Sequence, residues 1–145
     1  MSKASANRSP EPRLVLVGRC SAALGAELAG SATALADFAG LLLAGAADAV
    51  YSLTVPDDAS PNPYDAILVG LRIIHSGGLA LIRRQDRLLL VRGSAVNLGS
   101  IAAGVRDLCG APHVPEAHVH EEYYPGHLYL DPESEPLVIV MRERP

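Results

Sequence analysis

The run RLLLVRGSAVNLGSIAAGVRDL, residues 87–108, decides the fold. It opens with four aliphatic residues after a charged one, the composition of a short buried strand. Gly93 and Ser94 end that run. Ser94 is placed to cap a helix, its hydroxyl accepting a backbone N–H of the first turn. Beyond it Leu98, Ile101, Val105 and Leu108 recur at spacings of three, four and three, one stripe of a helix. Gly110 and Pro112 stop it. A strand, a Gly/Ser turn and a helix therefore make one unit.

Working outward, RLVLV at residues 13–17 echoes RLLLV at 87–91, and an Ala-rich segment follows it. Leu24, Leu28, Leu35, Phe38 and Leu42 fall at spacings of four, seven, three and four. Gly25, Gly30 and Gly40 interrupt that stripe, each costing about 1 kcal/mol against Ala in a helix interior. A shorter helix, capped by Ser31 and running to about Ala47, is the better reading. Residues 49–55 (AVYSLTV) alternate as a strand, and 56–65 (PDDASPNPYD) make a loop. Residues 66–74 (AILVGLRII) are apolar on both faces, as in a strand covered on both sides. A turn at 76–78, a strand at 79–83, and closing strands at 117–123 and 137–142 complete the chain. ILVGLR at 67 echoes LVIVMR at 137.

The order is β-α-β-β, one extra strand, then β-α-β-β. It suggests a tandem duplication with pseudo-repeats at 13–75 and 87–142, linked by a hairpin strand at 79–83. The expected fold is α+β: a six- or seven-stranded, mostly antiparallel sheet with two helices on one face. Residues 1–12 read as a disordered lead-in and 13–145 as one domain. Two helices leave the second sheet face apolar, so that face should be covered by the N-terminal segment, a second copy or a partner.

Composition excludes several function classes. Hydrophobic residues make up 49% of the 145, charged ones 19%, and the net charge of −4 argues against nucleic acid. Cys20 and Cys109 form no metal-spaced pair and read as reduced structural thiols. The N-terminus lacks the apolar core of a signal peptide. The longest apolar run, residues 38–47, is about half the ~20 that a membrane span needs. A soluble, cytoplasmic protein is expected. Ser94 and Ser100 lie outside any Gly-x-Ser-x-Gly elbow. Cys109 falls at a helix C-terminus, where the dipole works against a thiolate. No phosphate-binding glycine motif occurs, so neither catalysis nor a cofactor is expected.

The chemistry concentrates in HVHEEYYPGHLYL, residues 118–130, with three histidines, two glutamates and three tyrosines. On a strand Glu116, His118, His120, Glu122 and Tyr124 point one way; Ala117, Val119, Glu121 and Tyr123 point the other. His118 and His120 could reach one ion with Glu122 as third ligand, which is the metal-binding reading. A cupin-type site would want a Glu four or five residues after the second His, where Tyr124 and Pro125 stand instead. The same residues also suit a solvated or partner-facing strand. From Glu116 to Glu135 run six acids (Glu116, Glu121, Glu122, Asp131, Glu133, Glu135) without a Lys or Arg between them. Arg72, Arg83, Arg84, Arg87 and Arg92 make the central hairpin basic. An acidic, tyrosine-bearing surface fits a basic protein partner. Its candidate residues are Glu116, His118, His120, Glu121, Glu122, Tyr123, Tyr124 and His127.

The series RLLLVRGSAVNLGSIAAGVRDL, HVHEEYYPGHLYL and SEPLVIVM resembles immunity protein family thirty-two of bacterial polymorphic toxin systems, over residues 87–141. His118 and His120 match the family's histidine pair, and Ser134 and Leu137 its closing strand. The resemblance implies a small cytoplasmic α+β protein that binds and neutralises a protein toxin and has no catalysis of its own. Two other readings remain open on the residues: a metal-binding protein or metal-dependent enzyme, and a homodimer closing on its apolar sheet face.

Overall fold

The computed structural model describes residues 13–111 and 114–142. The assignment of 1–12 as a disordered lead-in lies outside them. Two Gly-Ser-Ala triplets start the two helices. In α1 (Ala32–Ala44) the Ser31 hydroxyl accepts the Ala34 N–H at 3.2 Å. In α2 (Ala95–Cys109) Ser94 accepts the Asn97 N–H at the same distance. Both serines are extended, as an N-cap requires. Each helix buries one stripe: Ala34, Leu35, Phe38, Ala39 and Leu42 on α1, and Leu98, Ile101, Ala102, Val105 and Leu108 on α2. The helices pack antiparallel, with the Cys109 thiol 3.4 Å from the Ala32 carbonyl at one end. At the other end a Cβ on Gly99 would sit 3.7 Å from Leu43.

The strands are β1 (Arg13–Leu14), β2 (Val17–Ser21), β3 (Gly25–Gly30), β4 (Asp48–Leu53), β5 (Ala66–Leu68), β6 (Gly70–His75), β7 (Leu81–Gln85), β8 (Leu88–Gly93), β9 (His118–Glu121) and β10 (Leu137–Met141). They form two five-stranded sheets, ordered β1-β4-β6-β8-β7 and β5-β2-β3-β10-β9. This corrects the expected single sheet of six or seven strands. Both sheets are mixed, with antiparallel pairs still in the majority, as expected. Of the eight strand pairs, β1–β4, β3–β10 and β6–β8 are parallel and five are antiparallel.

Two apolar runs that each suggest a single strand serve two sheets. The run at 66–74 breaks at Val69, β5 pairing with β2 and β6 with β4 and β8. The run at 13–17 breaks likewise between β1 and β2. An unforeseen strand, β3, lies where glycines suggested an interrupted helix. All six of its residues are buried, and small side chains permit that packing. A Cβ on Gly25 would meet the Pro136 carbonyl oxygen at 2.2 Å.

With the short strands β1 and β5 set aside, the element order runs strand, strand, helix, strand, strand twice: β2-β3-α1-β4-β6 and β7-β8-α2-β9-β10. Each sheet joins the hairpin of one series to the last two strands of the other. β3 lies parallel to β10 as β8 lies parallel to β6. The strand expected at 79–83 is β7 (Leu81–Gln85), which forms a hairpin with β8.

One core joins both sheets to both helices. It contains Cys20, Leu28 and Ile139 from one sheet, Leu71, Ile73 and Val91 from the other, and the helix stripes. The apolar strands thus spend much of their hydrophobic surface inward. Part of the outer face of the β2–β3 sheet lies under the proline-rich loop: Pro56, Asp58, Ala59 and Ser60 enclose a space of about 210 Å³ over Val17, Glu27 and Ala29. No helix among the described residues is long and apolar enough to cross a membrane.

Candidate partner-binding site

Strand β9 is the outermost strand of its sheet, held by β10 on one side. It ends at Glu121, two residues earlier than the sequence suggests, and residues 122–130 leave the sheet as a loop. His118 and His120 sit on the exposed side, their rings 5.0 Å apart and edge to face. His118 Nδ1 lies 3.1 Å from the Glu116 carbonyl.

Glu121 points the other way. It is 4% exposed and accepts the Tyr129 hydroxyl at 2.6 Å. Burial pushes its carboxyl above the usual range, and the Tyr129 bond opposes that only in part. The Tyr129 phenol is raised in turn, by burial first and then by the Glu121 bond and charge. Glu121 is therefore not available as a surface residue. Tyr129, omitted from the sequence-based candidates, is what ties the loop to the strand. Only its pairing with Glu121, across eight residues, reveals it.

The loop packs around His127. Its ring lies 4.6 Å from those of Tyr124 and Tyr129 and stacks at 6.4 Å with Tyr123. Its Nδ1 accepts the Tyr129 and Leu130 N–H groups at 3.2 and 3.1 Å. That sets the Nε2–H tautomer and closes the turn. Together His120, Glu122, Tyr123, Tyr124, His127 and Tyr129 line an open concavity of about 480 Å³. The structure thus gathers His120, Glu122, Tyr123, Tyr124 and His127 in one place, with His118 adjacent on the strand.

The six acids divide. Glu116 binds Arg142 at 2.9 Å, Glu133 faces Arg83 at 3.4 Å, and Glu135 accepts the Arg84 backbone N–H at 2.5 Å. Asp131 accepts the Glu133 N–H at 2.8 Å, and Glu121 is held by Tyr129. Glu122 is exposed and has no ion pair or hydrogen bond among the described residues. Only Glu133 meets an arginine of the basic hairpin and only Glu116 meets another arginine, so the acids do not form one continuous free surface, and Glu122 is the one of the six without an ion pair or hydrogen bond among the described residues.

A second charge cluster has no signal in the sequence. On the outer face of the same sheet Arg19 reaches Glu27 at 2.6 Å, and Arg142 stands 3.4 Å from the same oxygen. Arg19 also lies 4.8 Å over the Tyr64 ring. These residues are far apart in sequence, and only the β2–β3 and β3–β10 registers bring them together.

As a metal centre the strand finds no support. Glu122 falls beyond the strand end. Among the described residues no group of three or more His, Cys, Asp or Glu is gathered to hold an ion. Both cysteines are free thiols, and burial pushes Cys109 up, away from a nucleophilic thiolate.

No curated protein and no solved structure matches the chain. A family model does match, over residues 89–141, the span from β8 through α2, β9 and the tyrosine loop to β10. In that C-terminal segment, which carries the whole candidate site, the chain is similar to the family described as Immunity protein 32.

Proposed function

We propose that this chain is an immunity protein that binds a bacterial toxin domain and neutralises it without catalysis of its own. The observation that carries the reading is the match at 89–141, which encloses the histidine strand and the tyrosine-lined concavity. His118, His120, Glu122, Tyr123, Tyr124 and His127 form the partner surface, with Glu116 at its margin beside Arg142. Tyrosine supplies large contact area at little entropic cost, which favours it in protein interfaces. The repeated strand-strand-helix-strand-strand order supports a tandem duplication within one domain, whose second copy carries the histidines. The protein acts in the cytoplasm of the cell it protects.

The test is co-expression with candidate toxin domains encoded by the neighbouring genes. The toxin alone should arrest growth, and this chain should restore it and co-purify with the toxin in a fixed ratio. Toxicity unchanged by co-expression would refute the reading.

A further inference from the structure

The β9–β10 register pairs Val119 with Ile139 and Glu121 with Leu137, and the Met141 N–H bonds the Ala117 carbonyl at 2.8 Å. Antiparallel ladders alternate bonded and non-bonded pairs. Ala117, Val119 and Glu121 therefore face β10, and the N–H and C=O groups of His118 and His120 point away from it. No described strand or loop pairs with them.

The other long edge is treated differently. Along β7, the Ala80 N–H bonds the Tyr129 carbonyl at 2.8 Å and the Ile82 N–H bonds the Ser134 hydroxyl at 3.2 Å. The Arg84 N–H bonds Glu135. Residues 129–135 thus close that edge against strand addition, while β9 stays open. An open edge is a template for another strand unless something blunts it.

At the end of this open edge lies the concavity of Tyr123, Tyr124, Tyr129 and His127, with Glu122, the acid left without a partner. Aromatic faces and a free carboxylate together attract a cationic side chain. We infer that β9 accepts an extended segment of the partner protein as an added strand, with a Lys or Arg of that segment seated between Glu122 and the tyrosines. Main-chain bonds to His118 and His120 supply affinity without sequence preference, and the cationic side chain sets the register. This mode of binding rests on the immunity reading for the identity of the partner.

The test uses the full chain and the toxin domain that the co-expression test identifies, with affinity measured by calorimetry. His120→Pro removes an N–H that points to the open edge and so costs no bond inside the sheet. Glu122→Arg reverses the free charge at an exposed position. Each should weaken binding about tenfold or more. Arg92→Glu, on the outer face of the other sheet, should leave it unchanged. In the wild-type complex the His118 and His120 amides should gain protection from hydrogen exchange. Thermal unfolding checks that the variants fold, and Glu122→Arg keeps the test decisive should the proline variant not. Binding that survives both variants, with those two amides unprotected, would overturn strand addition and leave the immunity reading standing. A wild-type chain that does not bind the toxin overturns both.

Discussion

The Tyr129 hydroxyl donates to the buried Glu121 carboxylate at 2.6 Å, joining the aromatic loop to the inner side of the edge strand. Gly104 of α2 lies against the same carboxylate; a Cβ there would be 3.8 Å from Glu121 Oε2. The concavity is therefore braced from below by an acid that never reaches its surface.

Burial raises the Glu121 pKa, so the folded chain holds this proton at pH values where the unfolded chain has released it. Stability from this group is then full below the ordinary glutamate range and is lost as pH rises through the raised folded value. Glu121→Gln keeps an acceptor for Tyr129 and removes the titration. The unfolding free energy of the wild type should fall across that window, measured by urea melts at stepped pH, and that of the variant should stay flat by comparison. Equal slopes would show that Glu121 is not the group responsible.

Tyr129→Phe removes the only hydrogen bond that carboxylate has among the described residues. Leaving a buried acceptor without its donor costs about 1–3 kcal/mol. The loss should be smaller in a Glu121→Leu background, where no acceptor remains. A double-mutant cycle by denaturant unfolding measures the difference.

Gly25 combines φ +81 with a Pro136 oxygen 2.2 Å from where a Cβ would stand. Gly25→Ala should destabilise by about 2 kcal/mol or more, from the left-handed backbone and from separation of β3 and β10. Gly77→Ala, where a Cβ meets nothing, should cost little. Thermal unfolding of the two variants side by side checks this.

Ser31→Ala and Ser94→Ala each remove one N-cap and should cost about 1 kcal/mol apiece. The two caps lie at different helix starts, so their effects should add within about 0.5 kcal/mol. Chemical denaturation of the singles and the double variant measures that sum.

His118 and His120 are exposed, and neither is built into the core. Replacing both with Ala should change stability by less than about 0.5 kcal/mol each. Protein purified without an affinity tag should carry no stoichiometric Zn, Fe or Ni by elemental analysis. A full equivalent of metal, lost in the double variant, would restore the metal-binding reading.

Local chemistry settled much of this in advance. The Gly-Ser-Ala starts, the stripes on α1 and α2 and the alternation at β9 depend on near neighbours, and each is legible in the sequence alone. So was the resemblance carried by residues 87–141, which spans a contiguous stretch. The division of the strands into two sheets was not legible. The runs at 13–17 and 66–74 are continuous in composition, and a break at one residue leaves no apolar signature. Nor did composition mark β3, because a strand buried on both faces by small residues looks like a poor helix. The acids of 116–135 read as one negative surface, yet most are answered by Arg83, Arg142, a backbone N–H or Tyr129. Which charge stays free, and which strand edge stays open, depends on pairings between residues eight to more than a hundred positions apart. Those are decided by packing, because a chain segment carries its own periodicity but not the identity of what will lie beside it.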